Sequence, residues 1–328
     1  MEFWLPLVFA AVMGLALLLY VVLDGYDLGV GLLLPFAADD EKGQMISSIG
    51  PFWDANETWI VLGVGVLLIA FPQAHGIILT SLYLPATLML MGLVLRGIAF
   101  DFRVKAGDDQ KAMWNGIFSF GSLLTALCQG WMLGSYITGL EPSLYNLLFS
   151  LLAAISLPVL YVMLGATWLM CRTALPLASK ARRWARRGWL PLGFALLVIS
   201  IATPLVSENI SARWFALPQF FWLLPVPLLT VCCYGWVGLV LYGKVKCRSL
   251  LLFLTLAAIC VLAALGLAYS VYPDIIIGRL TITEAAASTE SLRFTLWGVL
   301  ITLPLILGYT VFVYRIFSGK VPEHSSYE

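Results

Sequence analysis

Histidine is scarce in this 328-residue sequence, which contains only His75 and His324. Proteins that bind several haems or copper ions need several histidine ligands. His75 lies in the short segment FPQAHG and His324 in the polar C-terminal tail, so the two cannot supply such a set. A lone haem bound to His75 stays open as a minor alternative. The sequence therefore places any redox cofactor mostly in another chain.

Recognisable catalytic motifs are also missing. The sequence has no Walker loop, no GxSxG, no HExxH and no GxGxxG in a strand–turn–helix setting. Its 6 cysteines form no CxxC pair and lie in or beside apolar segments, where cysteine is typically a small packing residue. We therefore predict no catalytic residue and no metal site in this chain, and no nucleic-acid partner.

Charge is the third deficit, and it defines the class of protein. Only 11% of the residues are charged and 61% are hydrophobic, with a mean hydropathy of +0.94. Apolar windows of about 20 residues can cross a hydrocarbon core of about 30 Å as helices. We count nine such windows in one all-α membrane domain, residues 1–328, and the first has no basic leader and is expected to be retained as an anchor. The windows are 5–34, 54–72, 76–97, 116–138, 145–170, 189–206, 219–242, 250–272 and 292–315.

The basic residues test this count and orient the chain. With nine spans, all but three of the 19 Lys and Arg residues fall on one side, and the positive-inside rule makes that side cytoplasmic. The N-terminus is then outside and the C-terminus inside. Omitting the second window would put the basic clusters at 96–111 and 172–187 on opposite sides. The exceptions on the outer side are Arg213, Arg279 and Arg293.

Acidic residues interrupt the first two windows near the predicted cytoplasmic edge. Asp24 and Asp27 lie one turn apart in VLDGYDLGVG, and Asp54 and Glu57 lie one turn apart in GPFWDANETW. The third window returns to the same edge in VLRGIAFDFR, and this brings Arg96, Asp101 and Arg103 to that level. Ionisable residues within membrane spans are costly and are usually functional. We therefore predict a polar mouth in which desolvated carboxyl groups take up and pass on protons.

Structural explanations stand beside this prediction. Asp54 and Glu57 have capping-box spacing, so Asp54 could instead cap the N-terminus of the second helix. Asp24 and Asp27 could instead form structural salt bridges with Arg96 or Arg103.

Aromatic, amide and glycine residues lie close to these acids in the sequence. Trp53 and Trp59 are more typical of interfacial anchors than of cofactor contacts, and Asn56 lies between the acids of the second window. Gly25 and Gly29 form a GxxxG pattern that allows a neighbouring helix to approach closely.

The three blocks DGYDLGVG, GPFWDANETW and LRGIAFDFR resemble the signature segments of subunit II of cytochrome bd quinol oxidases. Their order and spacing agree with that family along essentially the whole chain. The short length and the segments VYPDIII and TITEAAAS look most similar to the short, cyanide-insensitive branch.

The resemblance implies a respiratory oxidase of the bacterial cytoplasmic membrane that reduces oxygen to water with quinol. Haem b, haem d and the quinol oxidation site are then expected in subunit I, with this chain as its haem-free partner. Small single-helix accessory subunits, a structural quinone and bound membrane lipid are further expectations. The family's cytoplasmic proton route includes the aspartate of its WD block, which falls on Asp54.

The resulting hypothesis is a structural subunit with a cytoplasmic proton intake. Asp54 is its main carrier, and Asp24, Asp27 and Glu57 share or tune the proton. The competing hypothesis is a proton-coupled secondary transporter. Such transporters often have inverted repeats and helices broken at the bilayer midplane, whereas the acids here cluster at one edge.

Overall fold

A computed structural model describes residues 4–321, and nine helices in that range are long and apolar enough to cross a membrane, as predicted. A 3-10 turn, Leu34–Phe36, follows the first helix. The helices are α1 Trp4–Leu33, α2 Asp39–Ile49, α3 Trp53–Ala70, α4 Pro72–Lys105, α5 Asp108–Ile137, α6 Leu144–Arg172, α7 Leu177–Val206, α8 Glu208–Phe215, α9 Gln219–Leu223, α10 Pro225–Leu241, α11 Ser249–Val271, α12 Ile282–Ala285 and α13 Thr289–Ile316. Two strands, β1 Asp274–Ile276 and β2 Leu280–Thr281, pair antiparallel between α11 and α12.

Several helices extend further than the apolar windows predicted. The windows 76–97, 116–138 and 189–206 correspond to α4, α5 and α7, which include the charged turns beside them. Lys, Arg and Gln are good helix formers, and these residues occur in the added turns, so each helix extends beyond the apolar layer. Helix α2 was not predicted, because its polar sequence DDEKGQMISSI gives no membrane signal.

Helix α1 occupies the centre of the bundle, with α3, α5, α6 and α11 packed around it. Every residue from 24 to 31 is buried, so this polar and glycine-rich stretch faces protein on all sides. Lipid cannot satisfy carboxyl groups, whereas neighbouring helices can. The central position of α1 thus explains how its two aspartates are accommodated.

The two ends of the bundle are held by separate sets of contacts. On the predicted cytoplasmic side, Lys180 at the start of α7 pairs with Glu41 of α2 at 2.6 Å. There the Arg172 side chain also donates to the Gly319 carbonyl at 2.5 Å. On the other side, Tyr136 donates to the Ile275 carbonyl at 2.8 Å. These contacts agree with the predicted alternation of loops, while the direction of the chain across the membrane stays a prediction.

Replacing Glu41 by glutamine should loosen α2 from α7. Burial raises the pKa of Glu41, but hydrogen bonds from Lys180 and from the Ala38 N–H outweigh it and hold the pKa below its ordinary value. The resulting stabilisation is complete above the pKa of an unfolded glutamate, about 4.3. It is lost as the pH falls through the lower folded-state value.

For E41Q we expect the free energy of local unfolding of α2 to fall by about 1 kcal/mol. Amide hydrogen exchange in α2 should then be about fivefold faster at neutral pH. Asp39→Asn is the matched control, because the Asp39 carboxyl is 95% exposed in its pair with Lys42. Equal exchange rates in the two variants would contradict a special role for Glu41.

Candidate functional site

A buried ion pair between α1 and α4 forms the centre of the acidic cluster. Arg96 Nη1 lies 2.6 Å from Asp24 Oδ1, and Arg96 Nη2 donates to Glu57 Oε2 at 2.8 Å. Arg96 is 1% exposed and Asp24 0%, whereas Glu57 is 29% exposed. One guanidinium therefore joins a fully buried carboxyl group to a partly accessible one. The salt-bridge interpretation is confirmed for Asp24 and Arg96.

Asp27 has different partners, although it lies one turn from Asp24. Its Oδ2 accepts a hydrogen bond from Asn56 Nδ2 at 2.8 Å. Its Oδ1 is buried without a hydrogen-bond partner among residues 4–321. The alternative in which Asp27 pairs with Arg96 or Arg103 is thus wrong, because the Asn56 amide lies against this carboxyl group and Arg96 bonds Asp24 and Glu57.

A chain of neutral polar side chains continues from Asp24 into the protein. Tyr20, one turn before Asp24, lies beside its carboxyl group, and Gln129 Nε2 donates to the Tyr20 hydroxyl at 2.6 Å. The Tyr161 hydroxyl donates to Gln129 Oε1 at 2.5 Å. These contacts link α1, α5 and α6 and hold Asp24 from the side opposite the predicted mouth.

Asp54 lies at the exposed end of the cluster. It is exposed on the surface of this chain and lies within electrostatic reach of Glu57, one turn further along α3. The capping interpretation is wrong: the N-cap of α3 is Phe52, without a side-chain cap bond, and Glu57 bonds Arg96. Because α3 begins at Trp53, Asp54 is already inside its first turn.

Asp101 and Arg103 do not join the cluster. Asp101 is exposed, and Arg103 donates through Nε to Asn115 Oδ1 at 2.5 Å. Helix geometry gives the reason. Asp101 is five residues, or about 140° of rotation, from Arg96, and Arg103 is about 10 Å further along the axis. Their predicted place around the acids is therefore wrong.

Trp53 covers the outer side of the Arg96 guanidinium. The carbon at the centre of the guanidinium lies 5.9 Å from the Trp53 ring centroid, and the same ring packs against Phe100 at 4.8 Å. Trp53 thus has a packing contact in the site, whereas Trp59 is 1% exposed and packs against α1. The anchor interpretation does not hold for Trp59.

Gly25 and Gly29 pack against α6, as the GxxxG pattern predicted. A Cβ atom on Gly25 would come within 2.7 Å of the Tyr161 ring, and one on Gly29 would overlap the Tyr161 carbonyl oxygen. Close approach of the two backbones is therefore built into the position of both aspartates.

The charges in the site do not balance if every group is ionised. Asp24, Asp27 and Glu57 would carry three negative charges, and Arg96 is the single cation in contact with them among the described residues. Burying unpaired charge is costly, and such groups neutralise instead. The geometry thus suits a site that holds at least one proton and exchanges it through Glu57 and Asp54.

Sequence reasoning missed the tyrosines and Gln129. Gln129 offered a signal, since it is a lone amide in the apolar window 116–138 and such residues usually bond to another helix. Tyrosines in apolar helices give no comparable signal. In residues 4–321 no group of three His, Cys, Asp or Glu side chains could hold a metal ion.

Comparison with known proteins gives consistent matches over nearly the whole chain. A family model described as cytochrome bd terminal oxidase subunit II matches residues 5–317. Cytochrome bd ubiquinol oxidase subunit 2 of Bacillus subtilis (strain 168) is 25% identical over 92% of each chain. Cytochrome bd-I ubiquinol oxidase subunit 2 of Escherichia coli (strain K12) is 27% identical over 94% of this chain and 93% of its own.

The fold has a counterpart among solved structures. A chain in the structure of the bd oxidase from Geobacillus thermodenitrificans superposes with a TM-score of 0.74, and the match covers 95% of this chain and 98% of that one. Its sequence identity is 18%, so this match supports the fold alone.

Proposed function

This chain belongs to the cytochrome bd terminal oxidase subunit II family, and we propose that it supports the haem-bearing subunit I and gives protons a route inward from the cytoplasm. It is a multi-pass protein of the bacterial inner membrane and a subunit of an oxygen-reducing quinol oxidase. The family match argues against the alternative of a proton-coupled secondary transporter.

The observation that carries the proton proposal is a gradient of exposure along connected acidic groups. Asp54 is exposed, Glu57 is 29% exposed, and Arg96 and Asp24 are buried. Asp54 takes protons from water, and Glu57 receives them next to Arg96. The Arg96 guanidinium contacts both Asp24 and Glu57, so the two carboxyl groups share its positive charge. Asp24 and Asp27 tune how firmly the cluster holds its proton.

Within residues 4–321 this chain offers a single histidine as a candidate haem ligand. Of the two histidines, His75 lies in the first turn of α4, about 30 Å along that helix from Arg96, while His324 is outside the described residues. The described part thus offers no second histidine as an axial ligand. We therefore assign haem b, haem d and quinol oxidation to subunit I, where oxygen is reduced with protons that this chain helps to deliver.

The remaining predictions rest on the family resemblance. The short, cyanide-insensitive branch, small accessory subunits, a structural quinone and bound lipid stay predictions, as does a single membrane domain over residues 1–328. None of them is needed for the proton route.

Asp54→Asn in the assembled complex should lower quinol-driven oxygen consumption by roughly 10- to 100-fold, because an amide cannot take up and release the proton. Glu57→Gln should have an effect in the same range. Haem absorbance per complex should stay at the wild-type level in both variants.

Asp101→Asn is the matched control, since Asp101 is an exposed aspartate at the same end of the bundle and outside the cluster. It should keep wild-type turnover. Wild-type turnover in D54N with a full haem content would contradict the proton role. Loss of haem would instead indicate an assembly defect.

A further inference from the structure

The last helix reaches the acidic cluster through one side chain. Only Leu292 and Val313 of α13 are buried, so most of this helix lies on the outside of the chain. Tyr314 nevertheless donates to Asn56 Oδ1 at 3.0 Å, and its hydroxyl lies 2.6 Å from that of Tyr26. These contacts connect α13 with α3 and α1 at the point where Asn56 meets Asp27.

The hydrogen bonds among these side chains have a defined direction. Tyr314 uses its only proton for Asn56 Oδ1, so Tyr26 must be the donor in the bond between the two hydroxyls. Asn56 Nδ2 in turn donates to the Tyr26 hydroxyl at 2.9 Å. The three groups thus form a closed ring in which each donates to the next.

This ring fixes how Asn56 faces Asp27. The Nδ2 group has two N–H bonds, and its two nearest acceptors are Asp27 Oδ2 at 2.8 Å and the Tyr26 hydroxyl at 2.9 Å. Because the Tyr314 hydroxyl donates to Oδ1, the amide can turn over only if both tyrosine hydroxyls reverse their bonds at the same time. An N–H is therefore kept on the carboxyl group, where it favours the ionised form.

We propose that Tyr314 is a positioning residue for Asp27, acting through Asn56 to keep an amide N–H, rather than the amide oxygen, against the carboxyl group. This inference rests on the proposed proton function and deepens it. Helix α13 thereby determines how readily the cluster releases a proton, although it supplies none of the acids.

The charged and titratable groups around Asp27 come from α1, α3, α4, α6 and α13. They are Asp24, Tyr26, Glu57, Arg96, Tyr314 and, beside the two tyrosines, Arg172. Each single tyrosine variant removes one of them and leaves the others in place.

Tyr314→Phe and Tyr26→Phe separate positioning from general loosening. Each removes one hydroxyl from the ring, but only Y314F frees Asn56 Oδ1. In Y314F the amide can turn its oxygen to Asp27 and favour the protonated acid. We expect its pH profile of oxygen consumption to move to higher pH by about one unit, the size expected for a lost hydrogen bond to a charged group.

In Y26F the bond from Tyr314 to Asn56 remains, and the Leu23 carbonyl, 3.3 Å from Asn56 Nδ2, is available as an alternative acceptor. Its profile should stay within about 0.3 pH units of wild type, even if its thermal stability falls. Equal shifts in Y26F and Y314F, or no shift in Y314F, would overturn the positioning role.

Asn56→Leu keeps the test decisive if Y314F does not assemble. It removes the donor to Asp27 directly, so its profile should move in the same direction, and the N56L/Y314F double variant should show no additional shift. An unshifted N56L profile would overturn the proposal. Slow turnover in D54N together with unshifted N56L and Y314F profiles would reject the positioning role and leave the proton route intact.

Discussion

Arg96→Met should abolish or severely reduce the yield of haem-containing complex. Arg96 is 1% exposed and its partner Asp24 0%, so the substitution leaves a fully buried carboxyl group and the partly accessible Glu57 without their cation. Removing one member of a buried ion pair typically costs about 3–5 kcal/mol, because the remaining charge stays desolvated. That loss is a large fraction of the stability of a typical domain.

Arg103→Met provides the matched control for this effect. Arg103 lies on the same helix two turns away, is half-buried and bonds to the neutral amide of Asn115. Its loss should cost about 1 kcal/mol. The measurement is co-purification of the two subunits, with haem absorbance and the thermal unfolding midpoint of the complex.

The Asp24→Asn/Arg96→Met double variant tests the cause. It removes the unpaired Asp24 charge, so it should recover part of the midpoint lost in R96M, and this would appear as a coupling energy between the two sites. A wild-type midpoint in R96M would show that Arg96 is dispensable for packing. No recovery in the double variant would point to lost packing of the arginine stem instead.

Hydropathy and charge asymmetry predicted the nine spanning helices and the grouping of loops at two ends, because both depend on composition averaged over many residues. They did not predict α2 or the true ends of α4, α5 and α7. These segments are helical through local propensity and packing, and neither contributes to a hydropathy window.

The site was only partly predicted, and the reason is related. Spacing places Asp24 and Asp27 on one face of α1, but which helix meets that face depends on the rotation and packing of every neighbour. Tyr314 bonds to Asn56 across 258 positions of sequence. Spacing also assigned Arg103 the same status as Arg96, although a shift of about 10 Å along the helix separates them.

The second large effect is expected at the contact between α1 and α6. Gly29→Ala should destabilise the complex by about 3 kcal/mol and lower its haem content, because a Cβ atom at Gly29 would overlap the Tyr161 carbonyl oxygen. The opposite side of the contact is equally tight, since a Cβ on Gly165 would meet the Gly29 backbone. Neither obstacle is a side chain that could rotate away, so the two helices must separate.

Gly14→Ala on the same helix is the matched control. A Cβ at Gly14 would have no atom within 4 Å, and alanine is the better helix former, so G14A should have an unchanged or slightly raised unfolding midpoint. Equal midpoints for G14A and G29A would show that close packing is not required at Gly29. Separation of α1 from α6 would also move Asp24 and Asp27 relative to Arg96 and Asn56. Any G29A complex that assembles should therefore consume oxygen more slowly per haem than G14A, because the packing glycines and the acids of the proposed proton route belong to the same stretch of helix.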